Sequence, residues 1–390
     1  MRLAVAVVLG TIGSVGMWSY VVVLPVIQAD FGVTRAEASL PYTLSMAGFG
    51  FGSVLVGRVA DRLGIMLAGI IGAVTLALGY ISAGLSGSFT LLVAAHVLIG
   101  FGASATFAPL IADMSHWFLR RRGIAVAIAS SGNYLAGVVW PPLVQHAVGA
   151  FGWRQTHVWI GLFAIVSMTA IAMALRKRAP VHAELSGDKN GSRASDALGL
   201  SPRSLQILLS IAGVGCCVAM SMPQVHIVAY CVDLGYGVAR GAEMLSLMLF
   251  FGIASRIGSG WIADQIGGLR TLLLSSALQA SALVLYVFYD GLTSLYIVSA
   301  LFGLFQGGLV PTYAIIVREY LPSREAGERL GVIIFATVIG MALGGWMSGV
   351  IFDLTASYQA AFINGIAWNL LNLAIVFWLL SRSSAKLAPA

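Results

Sequence analysis

Gly57-Arg-Val-Ala-Asp61-Arg62-Leu-Gly64 is a stretch that recurs in the chain, and its second copy reads Gly260-Trp-Ile-Ala-Asp264-Gln-Ile-Gly267. Each copy follows one apolar stretch and precedes another. Glycine permits a tight turn and a close approach between helices, and an aspartate is favourable at a helix N-terminus or beside an arginine. The stretch therefore predicts a tight loop between two helices, built twice in one chain.

The two copies belong to a longer internal repeat. A shift of 203 residues places the first copy on the second and also aligns positions before and after it. One offset held over such a length predicts a duplicated six-helix unit. Repeats of this kind form two bundles with a cavity between them and work by alternating access. The other aligned pairs are Asp30 and Asp233, Gly32 and Gly235, Gly100 and Gly303, Trp117 and Tyr320, Arg121 and Arg324, and Gly137 and Gly340.

The composition is that of a membrane protein. Hydrophobic residues make up 59% of the 390 residues and charged residues 9%, whereas soluble domains carry about 25% charged residues. The 46 glycines suit helices that pack closely in lipid. A net charge of +7 would also suit nucleic acid, but no basic stretch is interleaved with aromatic residues, so we expect no nucleic-acid partner.

A membrane-spanning helix needs about 20 apolar residues, and the sequence contains twelve such stretches. A charged, Ser- and Gly-rich segment at 176–204 separates the first six from the last six. We therefore predict an all-α membrane protein with an N-terminal six-helix bundle at 1–175, a cytoplasmic linker at 176–204 and a C-terminal six-helix bundle at 205–390. The predicted spans are 4–28, 39–58, 66–86, 90–114, 123–149, 156–175, 205–232, 243–263, 270–289, 293–317, 327–352 and 360–381.

The basic residues predict the orientation in the membrane. With both termini in the cytoplasm, 18 of the 22 Lys and Arg residues lie on the cytoplasmic side, which is the positive-inside distribution. Of the others, Arg35, Arg154 and Arg240 lie on the outer side, and Arg256 lies inside a span. We expect a monomer in the cell inner membrane.

The repeated loop resembles the GxxADRxG signature of the major facilitator superfamily. The resemblance implies that superfamily's fold, with two six-helix bundles around a central cavity. Ile65 and Met66 replace the basic pair that usually follows the last glycine, so the superfamily's gating salt bridges are not carried over in detail. The resemblance assigns a gating role to Gly57, Asp61, Arg62, Gly64, Gly260, Asp264 and Gly267.

A second stretch narrows the resemblance to one branch. Trp117-Phe-Leu-Arg-Arg-Arg122-Gly-Ile-Ala-Val-Ala127 is followed by Gly137, Pro141-Pro142 and Gly152-Trp153-Arg154. This is similar to the pattern of the monocarboxylate transporter and oxalate:formate antiporter branch. The signature GxxxGPxxGG of drug antiporters is not matched in the fifth span. The resemblance implies transport of a small carboxylate.

Arg256, in the stretch FFGIASRIGSG, carries the prediction of substrate class. It lies 13 residues after Glu243 and 8 before Asp264, about 20 Å and about 12 Å along a helix. A guanidinium at this depth costs at least about 2.5–3.5 kcal/mol, and Ser53 occupies the repeat-related position. In the resembled family an Arg of the eighth span binds the substrate carboxylate, a task that suits its planar fork. The alternative is a snorkelling or structural arginine, and Gly252 replaces the Asp that animal members carry one turn earlier.

Further polar residues in the spans are candidates for the cavity wall or for proton coupling. For the wall candidates the alternatives are interhelical hydrogen bonding in span 7 and lipid or packing contact in spans 1 and 5. His96 can titrate near neutral pH, although a buried structural histidine is the competing interpretation. Asp113 lies near Arg120–Arg122, and we interpret it first as half of an ion pair and second as a proton carrier. The candidate wall residues are Tyr20, Asn133, Tyr134, Gln224, His226 and Tyr230.

We therefore expect a secondary transporter of a small monocarboxylate, moved with a proton across the lipid bilayer. We expect neither an enzyme nor a cofactor or metal, because the sequence contains no catalytic constellation, no nucleotide-binding GxxxxGK motif and no metal-ligand spacing. Two alternatives stay open. A proton-driven drug or metabolite exporter would need a carboxylate in the cavity, and a non-transporting sensor would usually need a signalling domain.

The charge distribution leads to a prediction about topology. Reporter fusions at Asp188 and at the C-terminus are expected to report a cytoplasmic location, and a fusion near Ser86 a periplasmic one. The measurement is the activity of paired reporters that are active on opposite sides of the membrane. A periplasmic C-terminus would contradict the twelve-span interpretation.

Overall fold

The computed structural model describes residues 2–118, 122–177, 198–322 and 325–385, and in these ranges every regular element is an α-helix. A chain in lipid must satisfy its backbone polar groups internally, and a helix does so along its own length. The helices are Arg2–Gly13, Val15–Phe31, Arg35–Leu63, Ile65–Gly84, Phe89–Ser104, Ala108–Trp117, Arg122–Ala174, Pro202–Asp233, Val238–Ile266, Gly268–Phe288, Leu292–Gln306, Leu309–Tyr320, Ala326–Thr355 and Tyr358–Ala385.

Within the described residues, 11 helical stretches are long and apolar enough to cross a membrane. One of them, Ile124–Ala174, has 51 residues, more than twice the length of about 20 that one span needs. Its backbone leaves the helical conformation at Gly152, where φ is 78° and ψ is 160°. This stretch therefore contains both span 5 and span 6. The predicted all-α fold of twelve spans is confirmed, and we number the spans 1 to 12 in chain order.

The repeated loop is a tight turn in both copies, as its glycines predict. Gly64 has φ 98° and Gly267 has φ 84°, values in the left-handed region that favours glycine. The first glycine of each copy differs from expectation. A Cβ at Gly57 or at Gly260 would meet no atom within 4 Å, so the expected close approach between helices does not occur at these two positions.

Three spans are interrupted, and two of the interruptions are related by the repeat. Span 1 breaks at Ser14, span 4 at residues 105–107 and span 10 at residues 307–308. A shift of 203 residues makes the last two overlap. In span 4 the N–H groups of Ala105, Thr106 and Phe107 each bond to a carbonyl three residues earlier, at 3.1–3.3 Å. This tighter helical turn keeps the buried backbone hydrogen-bonded through the break.

The described parts of Met1–His182, Gln224–Phe250 and Gly345–Ala356 form one compact unit. Inside it, spans 2 and 4 are in extensive contact. Their backbones approach so closely that a Cβ at Gly48 or Gly100 would collide with a carbonyl oxygen of the facing helix. Ser45 Oγ of span 2 donates to the His96 carbonyl of span 4 at 3.1 Å, which adds an interhelical hydrogen bond of the kind that holds membrane helices together.

The second compact unit contains the described parts of Ala183–Pro223, Phe251–Gly344 and Ser357–Ala390. Its apolar core is made by buried residues of spans 7, 9, 10, 11 and 12, including Leu209, Leu272 and Tyr313. A polar contact joins spans 9 and 12, where Asn372 Nδ2 donates to Ser276 Oγ at 2.7 Å.

The predicted division into bundles at 1–175 and 205–390 stays a prediction. In the structure, residues 224–250 of spans 7 and 8 and residues 345–356 of span 11 group with the N-terminal spans. Of the predicted linker, residues 178–197 lie outside the described residues.

The contact between spans 2 and 4 leads to a prediction about stability. In Gly100→Ala, the new methyl group would overlap the Ser45 carbonyl oxygen. We expect a loss of about 1–3 kcal/mol, as is typical of overpacking, and a lower thermal unfolding temperature in detergent. Gly149→Ala is the matched control, because a Cβ there meets no atom within 4 Å and alanine has the higher helix propensity. Equal stability of the two variants would contradict the close packing of spans 2 and 4.

Candidate functional site

Arg256 lies within span 8 (Val238–Ile266), and 9% of its surface is exposed. Among the described residues, only one other charged side chain, Arg35, is as deeply buried. A guanidinium presents five N–H donors in a rigid fork and no acceptor. The site therefore has a cationic donor group at depth in an apolar helix, which suits a planar anion.

The interruption of span 10 packs against the same stretch of span 8. A Cβ at Gly307 would run into Gly252, and one at Gly308 would run into Ser259. Ser255 Oγ accepts a hydrogen bond from the Gly308 N–H at 3.2 Å, so a serine next to Arg256 satisfies a backbone donor that the break sets free. The backbone that carries Arg256 is thus fixed on the flank that faces span 10, and a fixed backbone is what a preorganised site requires.

The candidate wall residues other than Arg256 all belong to the first compact unit. Tyr20 of span 1 is 1% exposed and donates its hydroxyl to the Ala38 carbonyl at 2.5 Å. Its ring meets the ring of His96 edge-on, with centroids 4.8 Å apart. Sequence reasoning named these two residues for different tasks, and the structure brings them together.

His96 of span 4 is 1% exposed. Its Nδ1 lies 2.8 Å from the Leu92 carbonyl oxygen, and this contact assigns the proton of the neutral ring to Nδ1. The ring of His157 lies 6.2 Å away between centroids. His157, which sequence reasoning did not name, also directs its Nδ1 to a carbonyl, that of Trp153, at 2.8 Å. The histidines thus leave Nε2 as the basic nitrogen of each ring.

Asn133 and Tyr134 of span 5 are buried. Asn133 Nδ2 donates to Ser14 Oγ at 3.2 Å, at the interruption of span 1. The backbone carbonyl of Asn133 accepts a hydrogen bond from Trp18 Nε1 at 3.0 Å. Asn133 therefore joins spans 1 and 5, and its place in a cavity wall stays a prediction.

Gln224, His226 and Tyr230 of span 7 are also buried. His226 Nε2 lies 2.7 Å from the carbonyl oxygen of Gly345 in span 11, which links two spans of the predicted C-terminal bundle. A Cβ at Gly345 would approach the ring of Tyr42 in span 2. His226 therefore lies where spans 2, 7 and 11 meet inside the first unit.

Asp113 forms an ion pair, with a partner other than the expected one. Arg2, at the start of span 1, donates to both carboxylate oxygens, at 2.8 and 3.1 Å. Arg2 also donates to the Lys177 carbonyl at 2.9 Å and lies 4.3 Å above the Trp117 ring. Of the expected partners, Arg120 and Arg121 and the side chain of Arg122 lie outside the described residues.

The residues assigned to the gate include three charged side chains. Asp61, Arg62 and Asp264 are exposed, and none of them forms an ion pair with another described residue. Their gating role stays a prediction. Among the described residues no group of three or more His, Cys, Asp or Glu could hold a metal ion.

Sequence reasoning missed a charged cluster that contains the buried Arg35 and the exposed Asp233 and Asp353. Arg35 is 6% exposed, and its guanidinium lies 3.1 Å from Asp233 Oδ1. The sequence did hold a local signal for the helix start at this place. Thr34 and Glu37 have the spacing of a capping box, and both of its hydrogen bonds are present. Asp233 and Asp353 come from distant parts of the chain, so no local sequence pattern predicts that they contact Arg35.

Comparison with known proteins places the chain in a family. The family model for the Major Facilitator Superfamily matches residues 6–294 and 259–389. Among curated proteins, monocarboxylate transporter 13 of Bos taurus is 27% identical over 329 residues, which cover 84% of this chain and 75% of that protein. Monocarboxylate transporter 12 of Rattus norvegicus is 24% identical over 92% of this chain and 78% of that protein.

Solved transporter structures share the fold at low sequence identity. A bacterial homologue of the human lysosomal transporter Spinster, in an inward-facing and unoccupied conformation, has a TM-score of 0.71 at 15% identity and covers 99% of this chain and 95% of that one. A POT family transporter in complex with 5-aminolevulinic acid has a TM-score of 0.73 at 12% identity, covering 99% and 96% of the two chains. The chain belongs to the Major Facilitator Superfamily and is a transporter related to the monocarboxylate transporters, not an enzyme.

Proposed function

We propose that the protein is a secondary transporter that carries a small monocarboxylate together with a proton by alternating access. Arg256 would bind the carboxylate. The distribution of basic residues supports a place in the cell inner membrane with both termini in the cytoplasm. The relatives named monocarboxylate transporters support the substrate class.

The burial of Arg256 is the observation that carries the proposal. A cation at depth in a span is expensive and marks a functional site by default. Gly307 of span 10 packs against Gly252, before Arg256 in the chain, and Gly308 packs against Ser259, after it. An arginine can bind a carboxylate through two parallel N–H to O bonds. This interaction with the substrate carboxylate would offset part of the free-energy cost of burying the guanidinium.

The number of buried cations indicates the charge of the substrate. Arg35 and Arg256 are the buried basic residues of the described chain, and Arg35 is paired with Asp233. Dicarboxylate-handling antiporters of the resembled branch add a Lys in span 11. Here the described basic residue of span 11 is Arg329, at its start, which donates to Glu325 and Gln206. One cation neutralises one carboxylate, and a second buried carboxylate would cost several kcal/mol.

The proposed coupling to a proton rests on the charges that are buried when the substrate anion binds. Asp113 is engaged with Arg2, so His96 is the stronger of the two candidates for the proton site. An isolated charge is expensive in apolar surroundings, so we expect His96 to be neutral in the empty protein and to accept a proton only together with the anion.

The first prediction concerns Arg256 and uses a matched mono- and dicarboxylate pair. We expect wild type to take up the monocarboxylate and to bind the dicarboxylate far more weakly near neutral pH. Arg256→Ala is expected to lower the affinity about 10- to 150-fold, the equivalent of charge-assisted hydrogen bonds worth about 1.5–3 kcal/mol. Arg256→Lys is also expected to impair binding, because an ammonium cannot make the bidentate fork. The measurement is uptake into vesicles that contain the purified protein.

Arg240 offers the control for this series. It lies on the same span, is half exposed and pairs with Glu243 in its own helix, so Arg240→Lys and Arg240→Ala are expected to transport like wild type. Equal affinity for both acids, or full transport by Arg256→Ala, would remove Arg256 from the substrate site.

The second prediction concerns the proton. Uptake of the monocarboxylate is expected to rise as the outside pH falls, and an uncoupler is expected to collapse its accumulation. If His96 carries the proton, His96→Gln abolishes the response to pH while counterflow exchange continues. His146→Gln is the control, since His146 is exposed on span 5. Accumulation that responds to neither pH nor uncoupler would point to exchange or to another ion.

A further inference from the structure

The charged cluster around Arg35 joins the ends of three spans. Arg35 begins span 2, Asp233 ends span 7, and Asp353 lies near the end of span 11. The guanidinium lies 3.1 Å from Asp233 Oδ1 and 4.7 Å above the ring of Phe352. The predicted orientation places all of these groups on the outer side of the membrane.

Asp353 binds the backbone of the same turn of helix. Its two carboxylate oxygens accept from the N–H groups of Arg35 and Ala36, at 2.9 and 2.7 Å. The first N–H groups of a helix have no partner within the helix, and the helix dipole favours a negative charge there. Span 11 thus supplies the cap for these two donors, alongside the capping box of span 2 itself.

A glycine makes this approach possible. A Cβ at Gly349, one turn before Asp353, would lie 2.7 Å from the Arg35 carbonyl oxygen and 2.8 Å from the Ala36 Cα. Spans 2 and 11 are therefore in backbone contact at the level of the charges. His226 bonds to Gly345, one turn deeper in span 11, which ties span 7 into the same junction.

The cluster differs from the other ion pairs at this end of the molecule. The Arg35 side chain is 7% exposed and that of Asp233 31% exposed. The pair Arg240–Glu243 is 52% and 47% exposed and lies within one helix, and the pair Arg154–Asp30 is 46% and 38% exposed. Exposed pairs contribute little to stability, whereas removing an acidic partner from a buried guanidinium such as that of Arg35 is costly. The Arg35 cluster is thus the one whose loss is expected to change how the spans pack.

We infer that Arg35, Asp233 and Asp353 form an outer latch, which holds spans 2, 7 and 11 together when the outer end is closed and must separate when that end opens. This inference rests on one part of the proposed function, namely that the protein works by alternating access. Its contacts require no particular substrate. Opening the latch exposes the buried Arg35 guanidinium to water, which already reaches the exposed residues Asp233 and Asp353, and solvation of all three groups compensates for the lost contacts. Charged groups therefore allow a closure that can be reversed.

The test measures access to a position beneath the latch. Ser39 lies one turn deeper in span 2, is 0% exposed and donates to the Arg35 carbonyl at 2.8 Å. In a protein whose cysteines at 216, 217 and 231 are replaced by alanine, Ser39→Cys introduces a single thiol. The rate at which a charged maleimide labels this thiol in lipid nanodiscs reports how often the outer end opens, and it needs no substrate.

We expect Arg35→Gln and Asp353→Asn each to raise the labelling rate about tenfold or more, the population change that about 1.4 kcal/mol produces. Arg35→Gln combined with Asp233→Asn is expected to add little to Arg35→Gln alone, because both changes break one interaction. Arg240→Gln, which removes a half-exposed outer charge whose ion pair with Glu243 lies within one helix, is expected to leave the rate unchanged.

Labelling that stays slow in Arg35→Gln and in Asp353→Asn, with thermal unfolding as in the parent, would overturn the latch. An equal rise in Arg240→Gln would overturn it too. A variant that unfolds early is set aside for the milder Arg35→Lys, which keeps the charge and is expected to label at a rate between the parent and Arg35→Gln. If carboxylate uptake fails while labelling responds, the proposed substrate is wrong and the latch stands.

Discussion

The structure depends on one constraint, which is that lipid offers no hydrogen-bond partners to the backbone. It makes every described regular element a helix, because helices satisfy their own N–H and C=O groups. Where spans 4 and 10 break, the chain supplies other partners. Residues 105–107 use tighter helical bonds, and Gly308 uses the hydroxyl of Ser255. Irregular backbone at this depth is tolerated only where protein or a water-filled cavity surrounds it, and one such break packs beside Arg256.

The two buried arginines illustrate two uses of one charged group. Arg35 lies at a helix start, with Asp233 and Asp353 supplied by other spans, and its burial serves packing between spans. Arg256 lies within span 8, among small residues such as Gly252 and Ser255. The same rigid fork suits both tasks. Arg35 holds two acids of other spans at one end of the spans, and Arg256 is proposed to bind the carboxylate of the substrate.

Much of the fold follows from the sequence, because it depends on local properties. Apolar length predicts the spans, and the glycine turns at Gly64 and Gly267 follow from a conformation that other residues avoid. The charged contacts were less predictable. Asp113 pairs with Arg2, 111 residues away, and Asp353 caps a helix that begins 318 residues earlier. Such partners depend on how spans pack, and no spacing in the sequence encodes them. For the candidate site, sequence reasoning found Arg256 from its charge in an apolar stretch but not the packing of span 10 against its helix.

The central claim is that a buried cation of this protein binds a small monocarboxylate. The most direct measurement is the thermal unfolding of purified wild type with a series of organic acids and, for comparison, amphiphilic cations. A ligand that binds only the folded state raises stability by RT ln(1 + [L]/Kd), about 2.7 kcal/mol at one hundred times Kd. The account predicts that the unfolding temperature rises with concentration for at least one monocarboxylate and for none of the cations. Stabilisation by the cations, with none by any monocarboxylate, would contradict it.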